Sequence, residues 1–153
     1  MARGDDLERL ERELATAERR MMGAASHAAS ESLRQSVDAG YELRQDVHGK
    51  AYKPSKDGHL PPMERSKTLR SAYRFPVIEG LREWLVKIIE RTPYGQFLRD
   101  GTYKMERRQH VPTPDEPLPP AWFARMKAGI DAAVARVMWS ASIAQAGLIA
   151  QSR

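Results

Sequence analysis

The sequence predicts an α+β protein with a long N-terminal helix, a small antiparallel β-sheet and a closing C-terminal helix. Three observations carry that reading. Apolar residues recur at alternating steps of three and four over residues 7–28 and again over 122–148, the spacing of one helix face. Between them lies the only β-branched run of the chain, within residues 82–91, preceded by the alternating Tyr73, Phe75 and Val77. Glycine and proline crowd the joints, at 49–62 and at 112–120.

The first helix is expected over residues 5–47. Asp5 can cap it, with Glu8 three residues on as in a capping box. Leu7, Leu10, Leu14, Ala17, Met21, Ala24 and Ala28 form a narrow seam of the kind found in coiled coils. Asp5–Arg9 and Glu8–Arg12 are favourable i,i+4 pairs. After Ala28 the seam shifts phase and continues through Leu33, Val37 and Tyr41, while the small residues from Gly23 to Ser30 permit close helix approach. Such a helix would span roughly 65 Å, against a diameter near 40 Å for a domain of this size. It must break near Gly23 or Gly40, or protrude and pack on another subunit. Protrusion is the expectation, because a Leu/Ala seam left bare on a monomer is a large apolar patch.

Residues 48–68 read as a loop by their Gly, Pro and charge content. Charge is concentrated here. The whole chain carries +5, residues 1–47 carry −3, and residues 50–74 carry +5 from seven Lys/Arg against Asp57 and Glu64. Lys50, Lys53, Lys56, Arg65, Lys67, Arg70 and Arg74 are the candidates for facing DNA or an acidic partner. Lysine suits loose phosphate contact better than base readout. No helix-turn-helix or RNA-binding aromatic signature accompanies the segment.

The β-region is expected over 69–105, with a hairpin over about 69–91 turning at Glu79-Gly80. Pro76 confines its first strand to an edge or a bulge. Residues 82–91 fit helix and strand alike, and strand is preferred because the run is short and follows an extended segment across one glycine. Tyr94, Phe97 and Leu98 make a short helix over about 94–100, stopped by Asp100-Gly101. Tyr103 to Met105 can add a short strand. Five prolines over 112–120 make residues 106–119 a stiff extended arm, able to cross a subunit boundary. The last helix, about 120–149, carries Trp122, Met126, Ile130, Val134, Val137, Ala141, Ala144 and Leu148 on one face.

At 153 residues, 41% hydrophobic and 29% charged, the chain is expected to form a single domain. The absence of cysteine excludes disulfides, thiolate chemistry and Cys-based zinc sites. No apolar run approaches the roughly 18 residues of a membrane span, and the N-terminus is charged where a signal peptide would be apolar. Synthesis in the cytoplasm without membrane contact is the expectation. The sequence contains no P-loop, no dinucleotide-binding glycine motif and no His-Glu-x-x-His. Asp46 with His48 and Asp57 with His59 are carboxylate-x-His pairs, but a loop offers no scaffold to converge them on a metal. They read as solvated loop residues, and Asp115-Glu116 reads as part of the arm.

Taken in order, the motifs resemble the phage neck or tail-completion proteins, a family of virion-morphogenesis and minor tail proteins. The matching features are Gly49-Lys50-Ala51-Tyr52 with Pro54, Leu69 with Ser71, the strand at 82–91, and Tyr94-Gly95-Gln96-Phe97 running to Gly101-Thr102. Arg108 with Pro112 and the closing helix 120–149 complete the set. The resemblance covers roughly residues 5–148. The chain departs from the pattern at Lys67-Thr68 for Thr-Gly, at Gly95 for Ala, and at Arg108-Gln109-His110-Val111 for an Arg-Pro-Phe-like phrase.

The resemblance implies a structural virion protein rather than an enzyme, with no cofactor and no catalytic residues. It would form a homo-oligomeric ring, expected as a hexamer, at the head–tail junction or the top of the tail. Its partners would be copies of itself, adjacent neck, connector or tail-tube proteins, and genomic DNA in the channel, touched without sequence preference. Leu7, Leu10, Leu14, Met21 and Trp122 are the expected interface residues. The alternative is a non-specific DNA-binding or packaging-associated protein using residues 50–74.

Overall fold

The computed structural model describes residues 2–53, 68–80, 83–93, 95–101 and 108–151. In chain order these form helix α1 (Ala2–Leu43), helix α2 (Thr68–Ala72), strand β1 (Val77–Glu79), strand β2 (Trp84–Val86), helix α3 (Gly95–Asp100) and helix α4 (Pro120–Gln151). The α+β expectation holds at this level: two long helices pack on each other, and a two-stranded antiparallel sheet packs against the first of them.

Helix α1 is uninterrupted over 42 residues, roughly 63 Å. It starts before Asp5 and ends four residues short of the expected Val47. The stop is made by Arg44, which takes the left-handed conformation at φ 56°. The Gln45 amide then donates to the Gly40 carbonyl at 2.9 Å, and the Arg44 amide to Tyr41 at 3.3 Å. This is the Schellman arrangement, usually built on glycine. A non-glycine residue there costs roughly 1 kcal/mol. Arg44→Gly is therefore expected to raise stability by about 1 kcal/mol, read as a higher urea midpoint with an unchanged slope.

Beyond the helix the chain doubles back. Gln45 bridges Ala51, with Gly49 at φ 81° in the turn. The Val47 amide donates to the Gln109 carbonyl and the Tyr52 amide to the Arg44 carbonyl, each at 2.9 Å. Residues 54–67, most of the expected basic loop, lie outside the described residues, as do 102–107 with the expected strand at Tyr103–Met105.

The hairpin is shorter than its expected span. Val77 pairs with Val86, Ile78 with Leu85 and Glu79 with Trp84, and an isolated Arg74–Ile89 bridge extends the ladder. Residues 84–86 are strand, not helix. Residues 68–72, expected at the start of the first strand, are helical instead. Apolar alternation begins only at Tyr73, and Arg74 Nη1 caps the short helix by donating to the Ser71 and Tyr73 carbonyls. Glu79, expected in the turn, is still paired with Trp84, and the Gly80 amide donates to the Glu83 carbonyl at 2.8 Å. Helix α3 ends as expected, with Gly101 at φ 76° and its amide on the Phe97 carbonyl. The Glu90 carboxylate occupies the space beside Gly95 where a Cβ would stand.

Helices α1 and α4 pack antiparallel. Arg125 Nη1 donates to Ser36 Oγ at 2.9 Å, and a Cβ on Gly129, one turn further along α4, would meet Ser32 Oγ at 2.5 Å and the Ala28 carbonyl at 3.6 Å. The backbones thus touch over small residues. The serine hydroxyls are satisfied by donating back along α1, Ser32 to the Ala28 carbonyl and Ser36 to the Ser32 carbonyl.

The core joins Leu33 and Val37 of α1, Val47 of the turn, Tyr73, Val111 and Trp122, with Tyr41, Tyr52, Phe75, Val86, Ile88 and Leu118 packed around it. The proline-rich segment closes this core. Gln109, His110, Val111 and Pro119 are buried, and Thr113-Pro114-Asp115-Glu116 turns, with the Glu116 amide on the Thr113 carbonyl at 3.1 Å. Pro at the second position is a standard turn signal. Residues 108–119 therefore bend over their own subunit instead of forming a stiff reaching arm.

Candidate assembly surface

The core occupies only one end of the helical pair. Residues 5–20 of α1 are all exposed, and burial begins at Met21. The leucines of the seam stand in solvent: Leu7 is 62% exposed, Leu10 58% and Leu14 72%. Helix α4 behaves alike beyond Val137, where Met138, Ile143 and Trp139, at 71%, are exposed. Of its expected inward face, Trp122 is buried, Met126, Ile130, Val134 and Val137 are partly buried and Ala141 is exposed, while the side chains of Ala144 and Leu148 lie outside the described set. Met138, Trp139 and Ile143 belong to the other side of the helix. Single exposed apolar residues are ordinary, but a row of them on two adjacent helices is a candidate interaction surface.

A second apolar strip lies on the outer face of the hairpin. Ile78 and Leu85 are cross-strand partners and both are exposed, as are Ile89 and Phe97. Trp84, on the opposite face, covers α1, its ring 3.3 Å from a Cβ built on Gly23. Arg19 of α1 pairs with Glu79 beside it.

Of the expected interface residues, Leu7, Leu10 and Leu14 are accessible and Met21 is partly buried. Trp122 is a correction. It is 6% exposed, within a core shared with Leu33, Val37 and Val111. The folded-over 108–119 segment brings the start of α4 against α1, so its indole is consumed inside the subunit.

The expected DNA-facing residues are only partly assembled. Lys50 and Lys53 are exposed around the 46–50 turn, while Lys56, Arg65 and Lys67 lie outside the described residues. Arg70 is held at 2.6 Å from Asp38 and 3.1 Å from Glu42 on α1. Arg34 shares Asp38 and also pairs with Glu31. These carboxylates offset the one cation, Arg70, that α2 brings to that face.

Asp46 has a structural role. Its carboxylate accepts the His48 amide at 2.9 Å and the Lys50 amide at 2.8 Å, holding the turn. Among the described residues no three His, Cys, Asp or Glu converge as metal ligands.

One titratable cluster is buried. His110 stacks on Tyr41, with centroids 5.5 Å apart, and meets Tyr52 edge-on at 5.3 Å. The Tyr52 hydroxyl and His110 Nδ1 share a hydrogen bond, and the same hydroxyl lies 3.3 Å from the Gln109 carbonyl. Burial, aided by the Arg108 charge and opposed by Asp46, lowers the His110 pKa to about 4. Burial likewise raises the pKa of Tyr41, Tyr52 and Tyr73. The cluster seals the 108–119 segment to the core.

The exposed α4 face escaped the periodicity argument, which tracks the inward stripe. A signal was present: from residue 132 to 151 Arg136 is the only charged residue. A helix apolar on nearly all sides needs cover on nearly all sides. No family model, curated protein or solved structure matches the chain.

Proposed function

We propose that this protein is an architectural subunit that assembles with copies of itself through the protruding end of the α1–α4 pair. The observation that carries this reading is the bare seam of Leu7, Leu10 and Leu14 on a helix continuous with the core. Burying one such side chain is worth about 1.5–3 kcal/mol, enough for three to drive association.

Within that class, the order of short motifs from Gly49 to helix 120–149 supports a place in the neck or tail-completion ring of a tailed phage. A ring needs one surface that docks on a different surface of the next copy. The helical tip carries two apolar faces, on α1 and on α4, for neighbours within the ring, and the outer hairpin strip is left for an adjacent connector or tail-tube component. Non-specific DNA binding through residues 50–74 is the weaker reading, because Arg70 already lies between two carboxylates.

Light scattering across a concentration series tests the proposal. The expected result is a discrete oligomer, seen as closed rings by electron microscopy. Replacing Leu7, Leu10 and Leu14 with serine is expected to weaken association at least about a hundredfold, the equivalent of about 3 kcal/mol, with helical circular dichroism retained. A wild-type protein that stays monomeric, or a triple variant that assembles normally, would overturn it.

A further inference from the structure

We infer that the leucine seam of α1 is covered by the outer face of α4 from another copy, not by a second α1. This rests on the self-assembly reading above and names the two surfaces that meet.

The argument is electrostatic. With Leu7 and Leu14 at one core position of the heptad and Leu10 and Ala17 at the other, the flanking positions are Asp6, Glu11, Glu13 and Glu18. Flanking charges decide which helix a coiled-coil seam accepts. If two α1 helices ran parallel and in register, Asp6 would face Glu11 and Glu13 would face Glu18 across the seam. If they ran antiparallel, acidic positions would again meet, until Arg20 came into play. Arg9 reaches Asp6 at 3.3 Å and Glu13 at 4.0 Å, but one cation shared by two carboxylates leaves the flank acidic.

Helix α4 presents the complementary surface. Met138, Trp139 and Ile143 are exposed, Arg136 lies one turn before them, and no acidic residue occurs after Asp131. The lengths also agree: Leu7 to Ala17 and Ala135 to Ile143 each cover roughly 12–15 Å of helix. An acid-flanked apolar seam thus meets an apolar face whose one charge is positive.

The chain contains no cysteine, so single introduced thiols report contacts cleanly. Thr16→Cys or Ala17→Cys on α1 and Ser140→Cys or Ser142→Cys on α4 alter exposed small residues and leave the apolar anchors intact. Each variant is oxidised mildly, alone and mixed with a variant of the other helix, then resolved on a denaturing gel. Mixed α1–α4 covalent dimers should exceed α1–α1 dimers several-fold in at least one pairing. Adding Arg136→Glu to the α4 variant should lower that yield several-fold. Predominant α1–α1 dimers would overturn the inference. An oligomer by light scattering without α1–α4 cross-links would overturn it while leaving self-assembly standing, and a monomer throughout would remove both.

Discussion

Trp122→Ala is expected to cost about 3–5 kcal/mol of folding stability, the largest effect of any single substitution in this chain. Its indole sits among Leu33, Val37, Val47, Tyr73 and Val111, a cluster of six buried apolar side chains among the described residues. Domains of this size have a total stability of about 5–15 kcal/mol, so the variant should be close to unfolding at 37 °C. Urea denaturation followed by circular dichroism gives the number. Trp139→Ala is the matched control, since Trp139 is 71% exposed. Its expected effect on subunit stability is within about 0.5 kcal/mol, measured at a concentration where the protein is monomeric. Equal losses from the two variants would mean that the core is not where the structure places it.

The second large effect is acid lability centred on His110. In the unfolded chain this imidazole takes up a proton below its ordinary pKa of 6.5, whereas in the fold it resists to about 4. The unfolded state therefore binds the extra proton throughout that window, and stability falls as pH drops through it, levelling off below about 4. The loss from pH 7 to pH 4.5 should be about 2–3 kcal/mol from this residue. Unfolding free energies at pH 7 and 4.5, for the wild type and His110→Gln, isolate the contribution. The variant should lose most of the pH dependence in that range while keeping whatever the carboxylates contribute.

The order of elements was legible because periodicity reports it directly. The spacing at Leu33 and Val37 of α1, from Trp122 to Val137 of α4, and the alternation at Tyr73, Phe75 and Val77 mark faces that turn inward in the structure, whereas the same spacing at Leu7, Leu10 and Leu14 marks a face left in solvent. Gly101 ended α3 where a positive φ was needed. What escaped detection had other causes. The end of α1 falls at Arg44, a residue with no intrinsic preference for the left-handed region, so the pattern ran on towards Gly49. Residues 68–72 carry neither period and took their helical form beside the α1 carboxylates. The prolines over 112–120 were read by their number, when Thr113-Pro114-Asp115-Glu116 held the local signal for a bend. The candidate site divides likewise: Leu7, Leu10 and Leu14 announced themselves by spacing, whereas Met138, Trp139 and Ile143 lie off the periodic stripe. Trp122 shows the limit of reading an aromatic beside prolines, because only the fold of residues 108–119 determines what it faces.

One helix carries both the bare leucines and the core residues Leu33 and Val37. The glycine between them, Gly23, is braced by the Trp84 ring, which leaves no pivot along the way. A neighbour that grips the far end grips a lever rooted in the hydrophobic interior, and cannot swivel it independently of the body. The tilt from each copy to the next is then dictated by the rigid subunit, and this angular increment determines whether a chain of copies closes on itself.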